Sequence, residues 1–294
     1  MSNNINEAYD TYSSNGWAVV PLRPNKKKPA IRDWETLAPN SSRAMRMLKD
    51  NSNIGIVLGD NSGGLVDIDL DCKEAIRMAS DFLPDTGMKF GRESAPASHW
   101  IYQVDEPGST KQFSPPGDGM IVEYRANGGQ TMFPPSVHAN GDTVLFDEEG
   151  DPLVIGRDDL LGSVAMLAAA SVIAKCWVKG GRHNISLALA GWLLRNEWSE
   201  DDVTHFVRAI CKATGDEEIE DRMRAISSTW DRLVADEDVH GWPTLAKLIG
   251  ESEAKLIASW LGLEGDHEMP KKGHNKPPSS AGPLAYSDIE SPHC

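Results

Sequence analysis

Residues 65–71 read Leu-Val-Asp-Ile-Asp-Leu-Asp and are introduced by Gly63-Gly64. Strict alternation of aliphatic and acidic residues is the period of a β-strand, in which alternate side chains share a face. Val66, Ile68 and Leu70 then point into a core, while Asp67, Asp69 and Asp71 point together to the other side. Carboxylates held side by side repel unless a cation neutralises them, and their oxygens suit a hard ion such as Mg²⁺ or Mn²⁺. An isolated pair of this kind also arises as a plain solvent-facing edge, so its meaning depends on its surroundings.

The same alternation recurs twice downstream. In residues 99–104, His-Trp-Ile-Tyr-Gln-Val, His99 and Gln103 share one face and Trp100, Tyr102 and Val104 the other. In residues 121–125, Ile-Val-Glu-Tyr-Arg, Glu123 and Arg125 share a face opposite Val122 and Tyr124. Each alone reads as an ordinary half-buried strand. Three strands, each offering a polar face, form a workable set for phosphoryl or nucleotidyl transfer, with carboxylates for metals and His and Arg for phosphates. A segment with Gly128-Gly129 and Pro134-Pro135, running to His138, follows as a tight turn and a rigid loop.

Around this centre the chain is expected to be α+β, a mixed α/β layout, in its first 155 residues. Further elements are a helix over about 5–13, strands over 17–22, 54–58, 130–133 and 143–146, and a helix over 73–83. Residues 156–263 read as an all-α helical bundle, with Asn184, Ser199 and Asp216 expected to open helices. Residues 264–294, rich in Pro, Gly, Ser and His, are expected to be a disordered tail.

The 294 residues allow one large or two ordinary domains, at roughly 100–200 residues each. The polar, acidic start lacks the basic segment and apolar run of a secretory signal, and the apolar stretch over 160–178 carries Lys175 and reads as a buried helix, so no membrane partner is expected. Cys72, Cys176, Cys211 and Cys294 form neither a disulfide framework nor a zinc pattern, which points to a reducing cytoplasm and no zinc. The net charge of −15 argues against a protein that coats nucleic acid nonspecifically. It leaves room for an acidic metal site beside a local basic group, and the densest such group in this part runs from Arg23 through Lys26, Lys27 and Lys28 to Arg32.

The series Val-Asp-Ile-Asp-Leu-Asp, then His99 in a short strand, then residues 122–138 (VEYRANGGQTMFPPSVH) resembles the primase-polymerase branch of the archaeo-eukaryotic primase superfamily. That family's pattern is a hydrophobic-D-x-D strand, a motif ending in His, and a strand ending in an acid, followed here by the Gly-Gly and Pro-Pro-Ser-x-His segment. Residues 16–22 (GWAVVPL), Lys28-Pro29 and Trp34 also look like its opening module. Residues 179–184 (KGGRHN) are similar to the start of the helical domain that often follows. The resemblance covers residues 8–262. Two departures stand out: Ala97 lies where many relatives have Ser, and Glu123 where many have Asp.

The resemblance implies a two-part catalytic core with an RNA-recognition-like sheet, then a helical bundle. It implies primer synthesis and extension on a single-stranded DNA template from NTPs or dNTPs. Asp67, Asp69 and Glu123 would bind two Mg²⁺ or Mn²⁺ ions about 3.5–4 Å apart. His99 and Ser98 would meet the triphosphate, with Arg125 and Lys28 as further nucleotide contacts. Lys26 and Lys27 are expected at DNA, as are Arg182 and His183, beside a helix start that attracts phosphate. No G-x-x-x-x-G-K-[ST] loop is present in the sequence, so a separate replicative helicase is the expected partner. Phages, plasmids and other mobile elements commonly encode such proteins. Two other readings compete: a catalytically inactive DNA-binding replication-initiation module, and a metal-dependent glycosyltransferase using its own D-x-D.

Overall fold

The aliphatic–acidic stretch lies in mid-sheet, and the rest of its sheet is arranged outward from it. In the computed structural model, which describes residues 5–117 and 119–263, the strands are β1 (Ala18–Leu22), β2 (Asn53–Val57), β3 (Leu65–Leu70), β4 (Met88–Arg92), β5 (Ala95–Gln103), β6 (Lys111–Phe113), β7 (Val122–Arg125), β8 (Gln130–Phe133), β9 (Ser136–Val137), β10 (Thr143–Glu149) and β11 (Leu153–Val154). The helices are α1 (Ile5–Ser14), α2 (Ser42–Met45), α3 (Lys73–Phe82), α4 (Arg157–Cys176), α5 (Arg182–Arg195), α6 (Glu200–Thr214), α7 (Ile219–Val234), α8 (Trp242–Ile249) and α9 (Glu251–Leu261). The fold is mixed α/β, then helical. The tail expected over 264–294 lies outside the described residues.

These residues divide into two compact units, one holding 5–76, 83–114 and 119–164, the other 77–82, 115–117 and 165–263. In the first, an eight-stranded sheet runs β6-β7-β3-β5-β4-β10-β9, with β11 beside the end of β5, and a three-stranded sheet runs β1-β2-β8. Pro21 is tolerated in β1 because β1 is an edge strand, where a missing N–H breaks no ladder. β3 pairs antiparallel with β5 on one side and β7 on the other. All six of its residues are buried, so both of its faces are covered and neither is a solvent edge. Gly64 sets the turn into β3. It sits at φ +85°, and a Cβ there would run into the Val104 carbonyl, whose residue donates its N–H to the Gly64 oxygen.

One core ties α1 to both sheets: Tyr12 and Trp17 stack at 5.8 Å, Phe133 of β8 meets Phe90 of β4 at 4.6 Å, and Ile101 and Val144 join the cluster. The Tyr12 hydroxyl donates to the Pro134 carbonyl at 2.6 Å.

In the second unit α5 packs on α6, α7 and α8, and α8 on α9. Ser199 caps α6 as its position suggested, its hydroxyl accepting from the Asp202 N–H at 3.0 Å. Two other expected starts differ. α5 begins at Arg182 after Gly181, so Asn184 lies inside the helix. Asp216 lies before α7 and serves as a buried acceptor. It takes hydrogen bonds from Trp177 Nε1 at 2.9 Å, Arg222 Nε at 3.1 Å and the Glu218 N–H at 3.0 Å, while Arg182 Nη1 stands 3.5 Å away. The Glu218 N–H bond is of the kind an acid at a helix start makes, and Trp177 and Arg222 add two tertiary donors to it.

Burial opposes the charge on Asp216, but the Glu218 N–H, Trp177 and Arg222 outweigh it and hold the carboxyl below its usual value. Because the folded value is the lower one, this stabilisation is complete above the ordinary carboxylate pKa of 3.8 and fades as pH falls through the folded value. Asp216→Asn removes the buried carboxylate partner of Arg222 and leaves it only the half-exposed Glu218, and it should cost about 3 kcal/mol at neutral pH. Urea unfolding followed by tryptophan fluorescence checks this, and the gap between parent and variant should shrink below pH 4, on the order of that carboxylate value.

Candidate active site

Antiparallel register turns the three polar strand faces into rows. Opposite residues in an antiparallel pair present their side chains on one face. Asp69 pairs with His99 on β5 and with Glu123 on β7, and Glu123 pairs in turn with Gln112 on β6. On the other side His99 pairs with Phe90 of β4, and their rings stack at 4.8 Å. One row therefore runs Phe90, His99, Asp69, Glu123, Gln112, apolar at one end and polar at the other. The next row places Asp67 between Ile101 and Arg125.

Asp67 is fully buried and Asp69 is 4% exposed. His99 and Arg125 offset their charge. His99 Nδ1 lies 3.1 and 3.2 Å from the two Asp67 oxygens and 3.4 Å from Asp69 Oδ1. The Arg125 guanidinium touches Asp69 Oδ2, stands 3.7 Å from Asp67, and donates through Nε to Glu123 Oε2 at 2.6 Å. Thr131, reaching across from β8 of the smaller sheet, donates to Asp67 Oδ2 at 2.6 Å. Gln112 donates to Glu123 Oε1 at 2.9 Å.

The shifts follow from this arrangement. Burial disfavours charge on Asp67, yet His99, Arg125 and Thr131 hold it below the usual carboxylate range. Burial likewise disfavours protonated His99, but Asp69 and Asp67 outweigh it and raise its pKa. Desolvation of Arg125 is outweighed by the same two carboxylates and Glu123, so its pKa rises further.

A cleft of about 270 Å³ opens beside these rows, lined on its polar side by Lys27, Asp69, Asp71, Lys73, Arg92, Ser94, Ser98, His99, Arg125 and His138. Of the expected nucleotide contacts, His99, Ser98 and Arg125 line it. Lys28 does not; its carbonyl closes the basic loop by accepting from the Arg23 N–H at 2.9 Å. Lys27 does, and its carbonyl is anchored by Gln130 Nε2 at 2.9 Å. Lys26 is exposed. In the helical unit Arg182 is engaged by Asp216 and by Glu217 at 2.7 Å, while His183 is exposed.

The donor set fits a hard divalent ion. Asp69 and Glu123 face each other in register, and Asp69 Oδ2 is a buried oxygen that accepts no hydrogen bond, its sole close cation being Arg125. Among the described residues no three His, Cys, Asp or Glu side chains converge as an ion cage as they stand. The guanidinium of Arg125 lies among the three carboxylates and offsets their charge.

Sequence reasoning missed Thr131, Gln112, Arg92, Ser94 and Lys73, and left His138 out of the site. Arg92 is missed because β4 (MKFGR) is short and carries a glycine, although Phe90 and Arg92 two apart were an available signal. Thr131 reaches the site from the other sheet, which strand periodicity cannot reveal.

A family model described as bifunctional DNA primase/polymerase, N-terminal, matches residues 9–154, spanning β1–β11 and every member of the rows above. No curated protein matches the chain. The helices α4–α9 follow the matched segment directly. A mid-sheet acid pair, a histidine strand and an acid–arginine strand in one register thus stand inside residues 9–154, the segment that matches the model of the bifunctional DNA primase/polymerase N-terminal family.

Proposed function

We propose that this primase/polymerase-type domain synthesises primers on single-stranded DNA and extends them, taking nucleoside triphosphates into the cleft beside Asp69 and His99. The observation that supports it most is the row His99–Asp69–Glu123, three functional groups on adjacent strands, of which His99 and Asp69 line a cleft together with Lys27, Lys73, Arg92 and Arg125.

Asp69 and Glu123, with Asp67 behind them, are the residues to hold divalent ions. Bound Mg²⁺ or Mn²⁺ supplies neutralisation of triphosphate charge and a lowered pKa for the attacking 3′-hydroxyl. His99, whose protonated form the two aspartates favour, presents a charged donor to a phosphate oxygen when protonated. Phe90 fixes the ring plane by stacking, and Thr131 fixes the carboxylate that orients the ring. Arg125 holds the carboxylates together before ligands arrive; released from them, its fork suits phosphate. Lys26 and Lys27 in the basic loop, and Arg182 and His183 at the start of α5, are the candidates for template contact. Duplex unwinding is assigned to a separate helicase, and replication of a mobile element is the setting this reading favours.

The decisive assay is nucleotide incorporation on single-stranded DNA, with and without a primer, in Mg²⁺ and in Mn²⁺. Product should form without a primer and fall roughly 10³-fold in Asp69→Asn, as when a charge-stabilising group is lost from an active site. Unchanged product in that variant would remove Asp69 from the chemistry. Metal-independent DNA binding with no incorporation would favour the inactive initiation module.

The Arg125 substitution gives a second expectation. Arg125→Gln leaves buried carboxylates undercompensated, so its Tm in EDTA should fall below the parent's. Adding Mn²⁺ should then raise the variant's Tm by more than the parent's, because the ion no longer competes with a guanidinium. Equal Mn²⁺ shifts in the two proteins would contradict the idea that Arg125 occupies the ion's place.

A further inference from the structure

The cleft carries a second polar group that the carboxylate chemistry does not use. Arg92 closes β4, and its Nη1 lies 3.4 Å from both ring nitrogens of His138. His138 Nδ1 is 2.9 Å from Asn140 Oδ1. Asn140 in turn donates from Nδ2 to Asp142 Oδ2 at 2.9 Å, which fixes which end of its amide faces the imidazole. An amide oxygen only accepts, so His138 Nδ1 faces it as a donor, and Arg92 Nη1, equidistant from the two ring nitrogens, rests against the imidazole as a whole. Ser94 anchors the far end of this chain through its hydroxyl to Asp142.

The backbone adds to the alignment. A Cβ at Gly91 would collide with the Ala95 carbonyl across the hairpin, so glycine there permits the close crossing that sets down Arg92. Among the described residues Arg92 forms no ion pair, nor does Lys27 on the same cleft, whereas Arg125 is held by three carboxylates. A guanidinium resting on an imidazole, with Asp142 acting on it only beyond ion-pair distance, in a cleft also lined by His99, Ser98 and Lys27, is a receptor for an anion.

We propose that Arg92 binds the phosphate chain of the incoming nucleotide, with His138 as its positioning residue. This rests on the reading that the cleft takes a nucleoside triphosphate. Phosphate oxygens could equally come from a DNA backbone, and the nucleotide is favoured because Arg92 shares one cleft with Asp69 and His99, where the reacting phosphate must lie.

The test uses the full chain and isothermal titration calorimetry with three probes: inorganic tripolyphosphate, a dNTP, and a 12-nucleotide single strand. Arg92→Gln should weaken tripolyphosphate and dNTP by about tenfold or more, the worth of a charge-assisted contact, and leave the single strand within about twofold. In synthesis assays KM for the dNTP should rise while kcat holds. His138→Ala removes the ring on which the guanidinium rests, and should give the same KM-selective change, smaller, at unaltered Tm. Arg92→Lys should recover part of the loss. Unchanged tripolyphosphate affinity in Arg92→Gln overturns the proposal, as does weakening confined to the single strand, or a parent that binds neither phosphate probe. Arg92-dependent tripolyphosphate binding without any synthesis would support this site while removing the polymerase reading; normal synthesis with unchanged KM would do the reverse.

Discussion

Two carboxylates buried in mid-sheet are the constraint on which the rest of the first unit depends. Asp67 and Asp69 have almost no contact with water, so an uncompensated pair would cost several kcal/mol. The chain offsets them with His99 from one neighbouring strand and Arg125 from the other. That requires β3 between β5 and β7, antiparallel to both, in the one register that sets Asp69 opposite His99 and Glu123. A slip of one residue would turn the acids into the aliphatic core and the aliphatic residues into the cleft. Thr131, reaching in from the smaller sheet, adds the hydrogen bond that fixes how the two sheets meet at this point.

Compensation by the protein itself also shapes the chemistry. Under the proposed function, a site that holds its acids with its own guanidinium needs no ion in order to fold, and the same arginine would become available to phosphate if an ion took its place. The net charge of −15 is no obstacle to an anionic substrate, because the cations that matter are local: Lys27, Lys73, Arg92, His99 and Arg125 line one cleft.

Much of this was legible in the residues. Alternation alone places Asp67 with Asp69, and Glu123 with Arg125, on shared faces, and the order of these strands suggests one site. What alternation cannot supply is pairing partners. That His99 and Glu123 flank Asp69 is a matter of register between distant segments. Alternation places Arg125 beside Glu123 but does not show that Arg125, one strand away from the aspartates, reaches all three acids. β4 was not foreseen, since five residues interrupted by Gly91 carry little periodic signal, and with it went Arg92. Asp216 shows the same limit in the helical unit: its sequence context suggests a helix start, but tertiary donors from Trp177 and Arg222 decide its role.

The most direct test of the account is crystallographic. Crystals grown with Mn²⁺ and a non-hydrolysable deoxynucleoside triphosphate, measured at the manganese edge, locate the ion. The account predicts an anomalous peak between Asp69 and Glu123, with the Arg125 guanidinium withdrawn from the carboxylates toward the phosphates. A nucleotide bound with Arg125 still clasping Asp69, and no manganese beside it, would contradict it.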